Sequence, residues 1–379
     1  MTKLIKFIEI HTGAKTIENG FIRFNQEIKE IGDMNQFVSE ADDVEIETNA
    51  DLLIPGFIDV HTHGGYGIDT MDADPEKTNE MLNKMRHEGI TSVFLTTITQ
   101  SIEEIEKALS AAKKTIEENP VAIGIHLEGP YINPTMNGAQ PKEFVIQAST
   151  EQIAHWQEIS GNNIRLITYA PEMNDDPDFE QKLIELNIVP SVGHSNAHYN
   201  DLLKTKASHI THLYNRQLQM TGREPGVTGF GLSNKNVKGV EIITDGIHVT
   251  PAMVKVAVRA KGSKNMEMIT DSMRSKGLGE GISELGGQRV TVKNGEARLD
   301  NGDLAGSVLL YIDGFKNMQN FAEVDIDQVI QMSSINQARE FGLDKIGVLQ
   351  AGNLANFNLL DENQNILDNF VHGRGLNDA

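Results

Sequence analysis

The chain has 379 residues, 39% hydrophobic and 23% charged, with a formal net charge of −21. So acidic a chain repels phosphate backbones and anionic lipid, which argues against nucleic acid and membranes as partners. It has no cysteine, so disulfides and thiolate metal sites are excluded and any metal must be held by His, Asp and Glu.

The opening stretch MTKLIKFIEI scatters lysines through too short an apolar run for a signal peptide, and no run of about 18 apolar residues follows. Together with the missing cysteines, this predicts a cytoplasmic protein. Residues 1–53 contain short β-prone pieces such as KTIENGFIRF, where Asn19-Gly20 reads as a turn. From Ile54 the pattern changes. Eight short runs follow, rich in Ile, Val, Leu and Thr and almost continuously apolar: residues 54–63, 91–97, 122–129, 164–172, 188–195, 208–214, 239–246 and 266–272. That is how strands buried on both faces read. Amphipathic segments separate them at 75–89, 101–119, 150–160, 176–187, 197–207 and 250–262. In the clearest of these, Ile102, Ile105, Leu109, Ala112 and Ile116 recur at helical spacing.

Strands alternating with helices predict an α/β chain with a parallel sheet, and eight is the number that closes a (β/α)8 TIM-type barrel. A long glycine-rich connection, 273–307, comes next, with a hairpin RVTVKNGEARL turning at Asn294-Gly295. Residues 344–379 return to strands and turns. Neither flank has enough core to fold alone. The expected organisation is therefore a small β-sandwich domain built from residues 1–53 plus 344–379, split in sequence by a barrel over 54–343.

In such a barrel, chemistry sits at the C-terminal ends of the strands. The first predicted strand ends in His61 and His63, the third at Glu128, the fifth at His194, the sixth at His212 and the eighth at Asp271. His61 and His63 share parity and point to one side, and Gly64 and Gly65 offer a tight turn beside them. Four imidazoles and two carboxylates suit Zn²⁺, Fe²⁺, Mn²⁺ or Co²⁺, as one ion or as a pair bridged by Glu128. Taken singly, a strand-end histidine is more often a satisfied polar residue than a ligand; it is their joint placement that points to a metal. His126 shares parity with Glu128, so it can face inward in a supporting role. Its parity against His212 turns His209 outward. The spacing of His198 after His194 is read as accidental, and His11, His87, His155 and His372 as structural.

These residues resemble the amidohydrolase superfamily and, within it, the N-acetylglucosamine-6-phosphate deacetylase family. The likeness runs along nearly the whole chain, through PGFIDVHTHG, GIHLEGPYINPTMNGAQP, SVGHSNA, THLYNRQLQMTGREPGVTG, DGIHVTP, ITDSM and LGGQRVTVKNGEARLDNGDLAGS. It implies metal-dependent hydrolysis of the N-acetyl amide of a phosphorylated amino sugar, with Zn²⁺ the first choice of metal and one or two ions per chain. Glu128, His194 and His212 match the family's common ligands, His61 and His63 the pair found in two-metal members, and Asp271 the catalytic acid/base. Asn215, Arg216, Arg223 and His248 match positions that hold the sugar phosphate, as do the backbones at Ala139 and at Leu304, Ala305 and Gly306. Where many members have a histidine that polarises the substrate carbonyl, this chain has Gln140, which can donate a hydrogen bond but cannot be cationic. The resemblance also implies a homodimer, and the Arg223 loop can serve its own site or a neighbour's. Two other readings are an amidase or deaminase of the same superfamily, which often needs a carbamylated lysine that strand 164–172 does not supply, and a catalytically inactive phospho-sugar binding protein.

Overall fold

The structure is a computed structural model that describes residues 2–378. An eight-stranded parallel sheet forms the barrel wall, and its strands pair in chain order. They are Phe57–Thr62, Ile90–Thr96, Ala122–Glu128, Ile164–Tyr169, Val189–Val192, His209–Ile210, Gly239–Ile243 and Met266–Ile269. Side chains rather than a full ladder close the seam between the last strand and the first. Thr62 and Ser272 form a single bridge with their hydroxyls 2.7 Å apart, and the Thr270 hydroxyl donates to Asp59. The expected helices coat the outside. Pro75–Met85, Ile102–Glu118 and Thr150–Ile159 start at Asp74, Ser101 and Ser149, whose side chains accept from backbone N–H groups of the first turn. The helix expected over 197–207 shrinks to Tyr199–Leu202, because Leu203 lacks a surface to pack on and stays exposed.

Both ends of the chain join in a seven-stranded sheet that draws on Thr2–His11, Thr16–Phe24, Ile28–Asp33, Asp43–Glu45, Leu52–Pro55, Phe357–Leu360 and Ile366–Phe370. It curls around a core of its own. Phe24, from one part of the sheet, meets Phe357 and Phe370, from another, at ring distances of 5.0 and 5.3 Å. The run 54–63, read as one strand, is two. Leu52–Pro55 pairs within the terminal sheet and Phe57–Thr62 within the barrel. The chain crosses at Gly56, where a Cβ would lie 2.2 Å from the Thr91 side chain. Asn19-Gly20 is not a turn. It lies inside Thr16–Phe24, opposite a register irregularity near Ile8, and the chain reverses instead around Thr12–Lys15. The hairpin at Asn294-Gly295 forms as expected, with both residues at positive φ. Its strands and Gly281–Leu285 make a three-stranded sheet over Ile98 and Met273, beside the barrel mouth.

Candidate metal centre and active site

Six side chains from five strand ends converge at the mouth of the barrel. Nε2 of His194 and of His212 each lie 3.1 Å from Glu128 Oε1 and 3.1 Å from each other. His63 Nε2 is 3.2 Å from Glu128 Oε2 and 3.4 Å from Asp271 Oδ1. His61 Nε2 is 3.6 Å from Glu128 Oε1 and 3.4 Å from Asp271 Oδ1. Donor atoms around a tetrahedral ion with bonds of about 2.1 Å stand about 3.4 Å apart, so these separations are those of ligands around a cation. They fall into two sets, Glu128 with His194 and His212, and His61 and His63 with Asp271.

The tautomers agree with this. His194 Nδ1 faces the Met136 carbonyl at 2.8 Å and His61 Nδ1 faces Glu241 Oε2 at 2.9 Å. Each Nδ1 therefore carries the proton, which leaves the Nε2 lone pair directed at the centre. His61 Nε2 is fully buried and has no hydrogen-bond partner. The donor set thus fits a divalent ion. Charge points the same way. Burial opposes charge on His61, but Glu241, Asp271 and Glu128 outweigh it and raise its pKa well above the usual range. His63 is pushed up to about 10, because Asp271 and Glu128 outweigh its burial. His61, His194 and His212 overcome burial and hold Glu128 far below the usual carboxylate range, and His61 and His63 hold Asp271 below it. The site calls for positive charge, as protons or as a metal.

The backbone bends sharply to present these groups. His194, His212 and Asp271 have φ of 47°, 31° and 47°. Left-handed backbone at non-glycine residues costs on the order of 1–3 kcal/mol each and gathers at functional sites. It also explains an error of parity. The sixth strand ends at Ile210, and the left-handed turn at His212 breaks the alternation. His209 and His212 therefore both face into the barrel, and His209 is fully buried rather than outward. His126 lies inside too, its ring edge-on to that of His61 at 4.4 Å and its Nε2 against the Thr168 hydroxyl. The expected tight turn forms at Tyr66-Gly67, and Gly64 and Gly65 pair across it with Asp69 and Ile68. A Cβ on Gly64 would meet the Ile68 carbonyl at 2.2 Å, and one on Gly65 the Lys276 side chain at 2.9 Å. His198 pairs with Glu224 and stands apart from the centre.

Beyond the centre opens a cavity lined in part by Ala139, Gln140, Asn215, Arg216, His248, Leu304 and Gly306. Gln140 has work on both sides of its amide. Its Nε2 donates to Glu128 Oε2 at 2.5 Å, and its Oε1 accepts from the Thr99 N–H. His248 is braced by Asp245 at 2.6 Å, and Arg216 pairs with Asp303 at 2.7 Å. Two expected residues are not brought to this cavity. Ala305 is buried beneath it, with its N–H on the Ala297 carbonyl. Arg223 is exposed on a loop anchored by Glu224, which accepts from the Tyr199 and Gly226 N–H groups. Sequence reasoning missed Glu241, which joins His61 Nδ1 to the His212 N–H. The signal was present: a carboxylate in the middle of the apolar run GVEIITDG.

The sequence profile of the amidohydrolase family matches residues 52–375. The N-acetylglucosamine-6-phosphate deacetylase of Bacillus subtilis (strain 168) is 40% identical over 361 residues, covering 92% of this chain and 90% of its own. That of Lysinibacillus sphaericus is 36% identical over 324 residues, 84% of each chain. The crystal structure of the N-acetylglucosamine-6-phosphate deacetylase of Thermotoga maritima superposes with a TM-score of 0.89 at 30% identity, over 99% of this chain and 100% of that one.

Proposed function

The chain belongs to the amidohydrolase family, and from that premise we propose that it hydrolyses the N-acetyl amide of N-acetylglucosamine 6-phosphate to glucosamine 6-phosphate and acetate. The observation that carries this reading is the convergence of His194 and His212 on one oxygen of Glu128, with Asp271 across the same centre and a polar cavity beyond. His194, His212 and Glu128 would hold one ion. His61 and His63 would hold a second, with Glu128 between the two; the preferred metal is Zn²⁺, and Fe²⁺, Mn²⁺ and Co²⁺ suit the same donors. When bound, such an ion acidifies water to a pKa of about 7 and polarises the amide carbonyl.

The remaining work falls to the chain. Asp271 faces the same centre, its Oδ1 3.4 Å from Nε2 of both His61 and His63. It takes a proton from the attacking water and returns it to the leaving nitrogen as the C–N bond breaks. Gln140 holds Glu128 in place and keeps a second amide N–H for the substrate carbonyl. His248 keeps a raised pKa because Asp245 more than offsets its burial, so it meets the phosphate end as a cation, together with Arg216 and Asn215. Arg223, exposed and outside its own chain's cavity, is assigned to the phosphate of a neighbouring subunit in a homodimer. A phosphate ester does not cross bilayers unaided, which supports a cytoplasmic location. The test is acetate release from the phosphorylated sugar, before and after chelation and metal return. Equal turnover of unphosphorylated N-acetylglucosamine, or release that ignores chelation, would overturn the reading.

A further inference from the structure

A second polar cluster lies at the opposite end of the barrel. His209 comes from the sixth strand, Glu267 from the eighth, and Glu340 from the last residue of the helix Asn336–Glu340. One donor atom of each lies within 4.8 Å of the others, and His209 Nδ1 stands 3.2 Å from Glu340 Oε1. His209 and Glu267 are fully buried, and the Glu340 side chain is 5% exposed. Three carboxylate oxygens here have no hydrogen-bond partner among the described residues: both of Glu267 and Oε2 of Glu340. Buried carboxylates without partners are costly unless a cation or a proton meets them.

Space has been left for the cluster. On the intervening seventh strand, a Cβ at Gly239 would lie 2.0 Å from Glu340 Oε2 and 2.3 Å from His209 Nδ1. There is also a way in, since Glu340 lines an open groove at the barrel floor together with Pro190, Ser208 and Phe341.

We propose that His209, Glu267 and Glu340 form a divalent-cation site at the barrel floor, distinct from the centre at the mouth. With one imidazole and two carboxylates it is a harder donor set than the mouth's, and it suits Mn²⁺ as well as Zn²⁺. His209 Nδ1 is the ligating nitrogen, and Nε2 keeps its proton toward Glu241 Oε1, 3.2 Å away. The other oxygen of Glu241 holds His61, so one carboxylate supports a ligand of each site. Without the ion, protons do its work. Glu340 and Glu241 outweigh burial and raise the pKa of His209, while burial and Glu340 raise that of Glu267. Cation entry displaces one proton from His209 Nδ1 and one from Glu267, so the cluster's total charge is unchanged.

The experiment strips the full-length protein with a chelator, reloads it with Mn²⁺ alone and counts metal per chain. Glu267→Gln and Glu340→Gln, isosteric changes outside the mouth's ligand set, are expected to hold one ion fewer than wild type. The double variant His194→Asn/His212→Asn is expected to retain the floor ion. In crystals of the loaded wild type, an anomalous peak is expected about 2.1–2.2 Å from His209 Nδ1. Equal metal content in wild type and both glutamine variants, or anomalous density confined to the mouth, would overturn the proposal and leave the cluster held by protons. Circular dichroism on each variant separates loss of metal from loss of fold.

Discussion

Individual side chains set the chemistry of the mouth. Asp271 touches both His61 and His63 but is not needed by the Glu128, His194 and His212 set. Asp271→Asn should therefore keep at least one ion while kcat falls by about 10²–10⁴-fold, the usual contribution of a placed acid/base. A loss smaller than about tenfold would remove it from proton transfer. His248 gives a pH prediction. Its pKa is raised, with Asp245 opposing burial, so it stays charged above the ordinary histidine range and loses its proton only as pH rises further. In Asp245→Asn the charge should be lost at lower pH. KM for the phosphorylated substrate should then begin to climb at a lower pH than in wild type. The substrate phosphate, with a second pKa of about 6, titrates identically in both proteins and cancels in the comparison. Superimposable KM profiles would show that His248 carries no charge that matters to binding.

The strand is the unit that delivers these residues, and its end is where sequence reading succeeds and then fails. His61, Glu128, His194, His212 and Asp271 were legible because buried parallel strands read as apolar runs, and a polar residue closing such a run stands out. What period-2 reasoning could not supply was backbone that leaves the period. The left-handed residue at His212 reversed the reading of His209. Gly56 cut one apparent strand in two, and the helix Gly226–Ser233, in a glycine-rich apolar segment, gave no amphipathic pattern. Glu340 stayed hidden because its partners are remote in sequence and only the closed barrel brings them together, whereas Glu241 stood out as a carboxylate inside an apolar run. The third strand offers a test at this scale. Just after Glu128, Gly129 has φ of 72°, and a Cβ there would lie 2.1 Å from the Thr99 hydroxyl. The Thr99 N–H holds Gln140, which in turn holds Glu128. Gly129→Ala should therefore destabilise the fold by about 1–3 kcal/mol and also weaken metal retention, read by denaturant melts and metal content. Normal retention in a destabilised variant would mean that the Thr99–Gln140 brace does not position Glu128.

At the level of the whole molecule, the two ends of the chain depend on each other. Leu52–Pro55 pairs with Phe357–Leu360 in register, Leu53 opposite Leu359, and leads through Gly56 directly into the first barrel strand. On the reading that residues 1–53 and 344–379 are one domain, deletion of 344–379 should do more than trim a tail. It would uncover Phe24, Ile28 and Leu53, all buried in the terminal core. The expected product is insoluble, or exposes the N-terminal strands to protease. A soluble truncated chain with full metal content would show that the barrel stands without its terminal sheet. The same pairing also sets a clock during synthesis. Leu53 leaves the ribosome about 300 residues before Leu359, an interval of about 15–60 s at 5–20 residues per second. Throughout it, the strand that feeds the barrel has one edge open. For that interval the terminal sheet is incomplete, waiting for Phe357–Leu360 and Ile366–Phe370 to close it.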